Sequence, residues 1–457
     1  MKRRIAVWWL WLPGPFLAPP FLALPFLAGQ ALGQPSATDK QAQLRDSGTR
    51  FLERLVKAEF AKAAESFDAT MKEKLPVDKL KEMWQGLEEK LGPLEKQGPA
   101  RHTTAGKYEA VLILCKFKKM ALDARIVFAD DGRITGLFFV PAGTGEYKPP
   151  AYVQADSFAE REVKVGGGDW ILPGTITMPR GSGPFPGVVL VHGSGPNDRD
   201  ETILANKPFR DLAWGLATNG IAALRYEKRT REHGAKLSKE DLTVREEVLD
   251  DALAAAALLR KTEKVDAKRV FILGHSLGAM MAPRLATLDG DLAGIILMAS
   301  PSRPLEDLVV EQFTYIYSLQ GEPSEKQKED LERLRQQAAR LKDANLPADT
   351  PSSDLPLGMP LRYWRSLQEN HPVNFAGKVM QRMLILHGER DYQVTMDDFE
   401  GWKKATKDRA NVMLKSYPRL NHLFMEGEGK GRPEEYQRPG NVAPYVIVDL
   451  VNWVKQR

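Results

Sequence analysis

The chain has 457 residues, enough for two or three domains and a large core. Its 65 basic and 60 acidic residues leave a net charge of only +5. With no Lys/Arg stripe interleaved by aromatics, this balance excludes a nucleic-acid-binding role. The sole cysteine, Cys115, excludes an internal disulfide and a thiolate metal cluster. Its apolar neighbours mark it as a small buried hydrophobe.

At the N-terminus, Lys2-Arg3-Arg4 precedes an apolar stretch that runs to about Ala31, and Ala31-Leu32-Gly33 offers small residues for cleavage. Residues 1–33 therefore read as a secretory signal peptide, which predicts export to the periplasm or the exterior. The alternative is a retained N-terminal membrane anchor. Pro13, Pro15, Pro19, Pro20 and Pro25 argue against a regular spanning helix, because each removes a backbone donor and crowds the preceding turn. No stable membrane span is expected once the signal is removed.

A first domain, small and α+β, is predicted over residues 39–141. Residues 46–67 space Phe51, Leu52, Leu55, Val56, Phe60, Ala63 and Phe67 as one amphipathic helix. A second helix starts at Asp78 as N-cap and ends at Gly92-Pro93. The pattern then becomes strand-like over residues 107–118, 122–128 and 133–140, with Asp131-Gly132 as a hairpin turn. In layout this region resembles the small nuclear-transport-factor-like domain found ahead of some bacterial hydrolases. Its one histidine, His102, has no acid or base partner at readable spacing.

Residues 142–157, with Ala142-Gly-Thr-Gly145 and Pro149-Pro150, read as a linker. From residue 158 to 457 the pattern changes again. Residues 163–165 and 171–178 form a hairpin around Gly166-Gly-Gly-Asp169. Near-continuous apolar runs then alternate with amphipathic helices, as a buried parallel sheet requires. The strands are residues 187–192, 221–226, 269–273, 292–298, 383–387 and 412–416. Helices are residues 208–219, 242–260 and 444–455. This predicts an α/β fold with a doubly wound, mostly parallel sheet. An insertion of about 301–375 supplies helices that cap the sheet's carboxyl edge. Its charge-rich part, residues 324–344, buries Leu331, Leu334 and Leu341 and turns a solvated face outward.

In an open parallel sheet, reactive residues stand at the carboxyl ends of strands. After the run 269–273 comes Gly274-His275-Ser276-Leu277-Gly278, followed by a helix-like stretch. Strand, sharp turn and helix with serine at the apex is the nucleophile elbow. Asp391 follows the strand ending at His387, and His422 follows the strand ending at Ser416. With these three residues in that order, the chain resembles an α/β-hydrolase. The resemblance implies Ser276 as nucleophile, His422 as general base and acid, and Asp391 as the group that fixes the imidazole tautomer. Glu389, Asp397 and Asp398 are rivals for the acid. His192, His275 and His387 also lie at strand ends, where structural hydrogen bonding is their reading. His233 and His371 sit in loops without a partner pattern.

The oxyanion hole is expected from the N–H of Leu277 and that of Ser194, in the loop His192-Gly-Ser-Gly195. The run Asn197-Asp-Arg-Asp200 is expected to organise this loop. Tyr363 and Trp364, with Phe313 and Tyr317 from the insertion, are candidates to wall an acyl pocket, core packing being the other reading. More narrowly, residues 191–201, 206–209 and 224–229 resemble those of thermophilic-type bacterial carboxylesterases with an extra N-terminal domain. Glu227 stands where that group has aspartate. The resemblance implies a serine carboxylesterase acting on small-molecule esters with short to medium acyl chains, without cofactor or metal. An acyl-aminoacyl or dipeptidyl-type peptidase, an acyl thioesterase and a non-catalytic ligand-binding protein remain as alternatives. No H-x-x-H or H-E-x-x-H pattern occurs.

Overall fold

The computed structural model describes residues 37–456 apart from 106–107, 143–146, 238–240 and 320. Residues 1–33, read above as a signal peptide, lie outside the described residues. Within them no helix is long and apolar enough to cross a membrane. They form two compact units that divide between residues 146 and 147.

The first unit opens with α1 (Ala37–Val56), α2 (Phe60–Ala64), α3 (Ala69–Lys74) and α4 (Val77–Leu91). The single helix predicted over 46–67 is broken after Val56. Ala58 takes φ 57°, a left-handed conformation that turns the chain and carries no glycine to announce it. Asp68 caps α3 by accepting the Met71 N–H at 2.7 Å. α4 begins at Val77, so Asp78 sits in its first turn rather than at the cap. Its end follows the expected signal, with Gly92 at φ 80°.

Four antiparallel strands follow in spatial order: β1 (Leu94–Ala105), β2 (Tyr108–Phe117), β3 (Ala121–Phe128) and β4 (Ile134–Pro141). β1 escaped the sequence reading. It is polar, it contains Gly98-Pro99, and its register with β2 slips between Gln97 and Ala100, where proline cannot donate. Phe51, Leu52, Leu55, Phe67, Trp84, Ile113, Phe117 and Ile126 join helices and sheet in one core. Cys115 lies in it, and burial pushes its thiol up to about 12, which leaves it unreactive. His102 does have a partner: its Nε2 is 2.5 Å from Glu109 Oε2 on the neighbouring strand.

In the second unit, the stretch from residue 147 to 157 is fastened to the body. The Tyr147 hydroxyl donates to Asp211 at 2.8 Å, and that of Tyr152 to the Val442 carbonyl at 3.0 Å. The sheet uses β5 (Phe158–Val165), β6 (Leu172–Pro179), β7 (Phe185–Val191), β8 (Ala222–Tyr226), β9 (Val265–His275), β10 (Gly294–Met298), β11 (Arg382–Gly388) and β12 (Val412–Tyr417). Its spatial order is β12-β11-β10-β9-β7-β8-β6-β5. All pairings from β8 to β12 are parallel; the β5–β6 hairpin adds an antiparallel edge.

The helices are α5 (Pro208–Thr218), α6 (Arg229–Glu232), α7 (Asp250–Arg260), α8 (Leu277–Leu288), α9 (Leu305–Ser318), α10 (Glu325–Leu341), α11 (Leu361–Glu369), α12 (Val373–Ala376), α13 (Met396–Ala405) and α14 (Pro444–Lys455). α5 and α14 each place proline in the first turn, where its missing donor costs least. α7, α8, α11 and α13 share one core with one face of the sheet, and α5 and α14 share another with the opposite face. This is the doubly wound architecture expected. The insertion holds α9 to α12. α10 starts with a Ser324–Gln327 capping box and buries Leu331, Leu334 and Leu341 as predicted.

The helix predicted over 242–260 carries a defect: residues Arg245–Leu249 form a wide π turn before α7. Such turns insert one extra residue and re-aim the side chains around it.

Candidate active site

β9 ends in a turn that a side chain would block at two positions. A Cβ on Gly274 would lie 2.3 Å from the Gly278 carbonyl carbon, and one on Gly278 would lie 2.2 Å from the Val191 oxygen. Between them Ser276 holds φ 52° and ψ −115°. Left-handed backbone at a side-chain-bearing residue persists only where the surroundings over-determine it. Here the Ser276 N–H donates to Met298 O at 3.0 Å, and its carbonyl accepts the Met280 N–H at 2.8 Å. The elbow is thus built, with Ser276 at the end of β9 and Leu277 opening α8.

Asp391 and His422 come together. His422 Nδ1 lies 2.6 Å from Asp391 Oδ2, and both are buried. The other carboxylate oxygen of Asp391 accepts the N–H groups of Gln393 at 2.8 Å and Val394 at 3.1 Å. Burial alone would raise this carboxyl. The His422 imidazole and the backbone donors outweigh burial and hold it below the usual carboxylate range. The rivals are occupied elsewhere. Glu389 is exposed and accepts the Ser416 hydroxyl at 2.7 Å. Asp398 anchors the start of the insertion through the N–H groups of Ser302 and Arg303. Asp397 is largely exposed.

The loop carrying His422 is braced by groups that the sequence did not single out. Asn421 Oδ1 accepts the N–H groups of Leu423 and Met425, at 3.0 and 3.1 Å. Its amide donates to Glu435 at 3.0 Å. Arg390 pairs with the same Glu435 and donates to the Glu428 and Gly429 carbonyls. The His422 carbonyl accepts Nε2–H of His275 at 2.9 Å, and the two imidazole rings lie 4.7 Å apart. The residue preceding Ser276 therefore holds the backbone of His422. Among the described hydrogen bonds, none yet joins the Ser276 hydroxyl to His422; such bonds commonly tighten only with substrate present.

A second buried pair stands behind the elbow. His275 Nδ1 is 3.0 Å from Glu201 Oε2, a buried ion pair. Burial disfavours charge on both. Their mutual attraction prevails, lowering the Glu201 carboxyl and raising His275. The other Glu201 oxygen accepts the Gly193 N–H at 2.6 Å. His192 stays neutral: burial pulls it down to about 4, between the rings of Phe209 and Tyr226. His387 hydrogen-bonds the Val394 carbonyl at 2.9 Å, and His233 the Ile171 carbonyl at 2.9 Å.

The loop after β7 passes against the nucleophile. A Cβ on Gly193 would lie 3.2 Å from the Ser276 Cβ. With the Gly193 N–H committed to Glu201, the next donor along is Ser194, which is exposed and whose N–H meets no partner among the described residues. The Leu277 N–H is one of the first-turn donors that a helix leaves unpaired. The polar run does organise this loop. Asn197 Nδ2 donates to the Gly193 and Ser194 carbonyls, and Asp198 Oδ1 accepts the N–H groups of Asp200 and Thr202. Arg199 joins Glu162 to Glu227, so the glutamate at 227 reaches the same support.

Tyr363 and Trp364, the candidates for an acyl-pocket wall, lie on α11. Both are buried in the core shared by α7, α8 and α11. The Tyr363 hydroxyl is spent on Glu247 at 2.6 Å. Phe313 and Tyr317 pack on each other, half-buried, with centroids 6.0 Å apart. Tyr392, Leu423, Met425 and Tyr436 form a small buried cluster, against which Ile203, Tyr315 and Ile316 pack. Tyr392 and Leu423 follow the two catalytic candidates directly in the chain. Among the described residues no group of three or more His, Cys, Asp or Glu is arranged to hold a metal.

Residues 188–436 match a family model described as "Alpha/beta hydrolase family", and residues 49–137 one described as "Protein of unknown function (DUF3887)". Over 404 residues the chain is 39% identical to Esterase EstD of Thermotoga maritima, a match that covers 88% of this chain and 93% of that protein. Among solved structures, Est1E from Butyrivibrio proteoclasticus is similar at 17% identity and a TM-score of 0.40, covering 64% of this chain and 98% of that one. The Pyrococcus horikoshii acylaminoacyl peptidase is similar at 15% identity and a TM-score of 0.44, covering 80% and 50%. At TM-scores below 0.5 these two likenesses carry no weight for fold or activity.

Proposed function

The chain belongs to the alpha/beta hydrolase family, and from that membership we propose that it is a serine carboxylesterase working through an acyl-enzyme on Ser276. The observation that supports this most is the 2.6 Å bond between His422 and Asp391, with the His422 backbone held by His275, the residue before Ser276 in its strained elbow. In acylation, Ser276 Oγ attacks the ester carbonyl carbon while His422 Nε2 takes its proton. The carbonyl π pair moves to oxygen, and the N–H groups of Leu277 and Ser194 receive that oxyanion. Collapse expels the alcohol, which takes the proton from His422. Water then repeats the sequence and frees the acid.

The relative's printed name, esterase, favours esters over other acyl donors. The basic, apolar and small-residue regions of residues 1–33 support export of the mature enzyme.

Rates across 4-nitrophenyl esters, acyl thioesters and aminoacyl 4-nitroanilides of increasing acyl length test the substrate class. Esters of about two to eight carbons should give kcat/KM at least about 100-fold above the anilides, a gap of roughly 3 kcal/mol. Anilide rates that match or exceed the ester rates would place the chain among peptidases instead. A thioester preference would do the same for thioesterases.

A further inference from the structure

The donor assigned to the oxyanion at residue 194 belongs to the same peptide unit as the Gly193 carbonyl. A trans peptide points its C=O and N–H in opposite directions, so whatever fixes one aims the other. The Gly193 carbonyl is held by a buried ammonium: Lys228 Nζ donates to it at 2.7 Å, and Lys228 is 2% exposed. Lys228 in turn is paired with Glu247 at 2.5 Å, also buried. Glu247's second oxygen accepts the Tyr363 hydroxyl from α11 at 2.6 Å. Glu247 lies inside the π turn at Arg245–Leu249, directly ahead of α7. The preceding peptide is fixed from its other side, since the Gly193 N–H goes to Glu201 at 2.6 Å.

Burying two charges is expensive, and a well-packed apolar pair of the same volume is often as stable or more so. A helix defect that delivers a carboxylate to a lysine lying on a backbone carbonyl does more than packing needs. We propose that Lys228 is a positioning residue for the oxyanion hole: its ammonium sets the plane of the Gly193–Ser194 peptide and polarises it, so that the Ser194 N–H meets the developing oxyanion at Ser276. Glu247 and Tyr363 keep the ammonium there. A hydrogen bond to an ionised donor is stronger than a neutral one, and it strengthens the next donor along the same peptide. This inference rests on the reading of Ser276 as the nucleophile at which an oxyanion forms.

The test uses the full chain, with kcat and KM for 4-nitrophenyl butyrate and Ki for an alkyl trifluoromethyl ketone, which binds a serine hydrolase as a tetrahedral oxyanion. Lys228→Met combined with Glu247→Gln removes both charges and leaves no lone buried carboxylate. The expected result is a fall in kcat on the order of 10–100-fold, short of the ~10²–10³ seen when an oxyanion donor is lost outright. KM should stay within about twofold, and Ki should rise by the same factor as kcat falls. A folded double variant with kcat and Ki near wild type overturns the proposal. So does a loss of kcat with Ki unmoved, the signature of a structural role. Should the double variant fail to fold, Glu247→Gln alone decides: kcat and Ki should shift together by several-fold, and no shift overturns the proposal. Failure of the underlying reading looks different, because a wild-type enzyme insensitive to the ketone would show that no oxyanion forms at Ser276.

Discussion

Ser276→Ala is expected to lower kcat for 4-nitrophenyl butyrate by roughly four to six orders of magnitude, with the circular dichroism spectrum unchanged. Among the described residues Ser276 is the only serine with positive φ, and Cys115 is buried in the other unit with its thiol pushed up to about 12. Folding should survive, because the strain at φ 52° belongs to the backbone and alanine bears it as serine does. The hydroxyl makes no hydrogen bond among those described that the fold would lose. What remains should be the rate that the oxyanion donors and the binding surface give to attack by water, roughly 10³–10⁴ above the uncatalysed reaction.

Asp391→Asn is expected to cost about 10⁴ in kcat at neutral pH with little change in KM. The reason is specific to how this carboxylate is held. Two backbone N–H groups, from Gln393 and Val394, point at one of its oxygens. In the variant they keep the amide oxygen on their side, so the NH₂ faces His422 Nδ1. That nitrogen must then accept, which puts the imidazole proton on Nε2. There it blocks removal of the Ser276 proton. Kinetic measurement of both constants checks this. A variant with KM raised and kcat intact would mean that Asp391 binds substrate rather than setting the tautomer.

The parts of the site that were readable in the sequence are those with local signatures. Gly274 and Gly278 are glycines because a Cβ would meet backbone at 2.2–2.3 Å, and that steric demand is visible as a five-residue pattern. Asp391 and His422 were readable from their places after apolar runs. The doubly wound sheet was readable because each parallel strand is apolar on both faces. What was hidden depends on contacts far apart in the chain. Lys228 and Glu247 are 19 residues apart, joined through a π turn that has no proline or glycine to mark it. Glu201 reads as the end of a polar run until the fold sets it 3.0 Å from His275. For Tyr363 and Trp364, an aromatic pair next to a cap looks the same in sequence whether it faces a pocket or the core. β1 was missed because a polar edge strand with a bulge at Pro99 lacks alternation.

The central claim is that Ser276 is the nucleophile of acyl transfer. Incubating the wild-type chain with a fluorophosphonate probe, then mapping the modified peptide by mass spectrometry, tests it most directly. Stoichiometric labelling at Ser276, abolished in Ser276→Ala, is the predicted result. Labelling at another residue, or none in a folded and monodisperse sample, would contradict it.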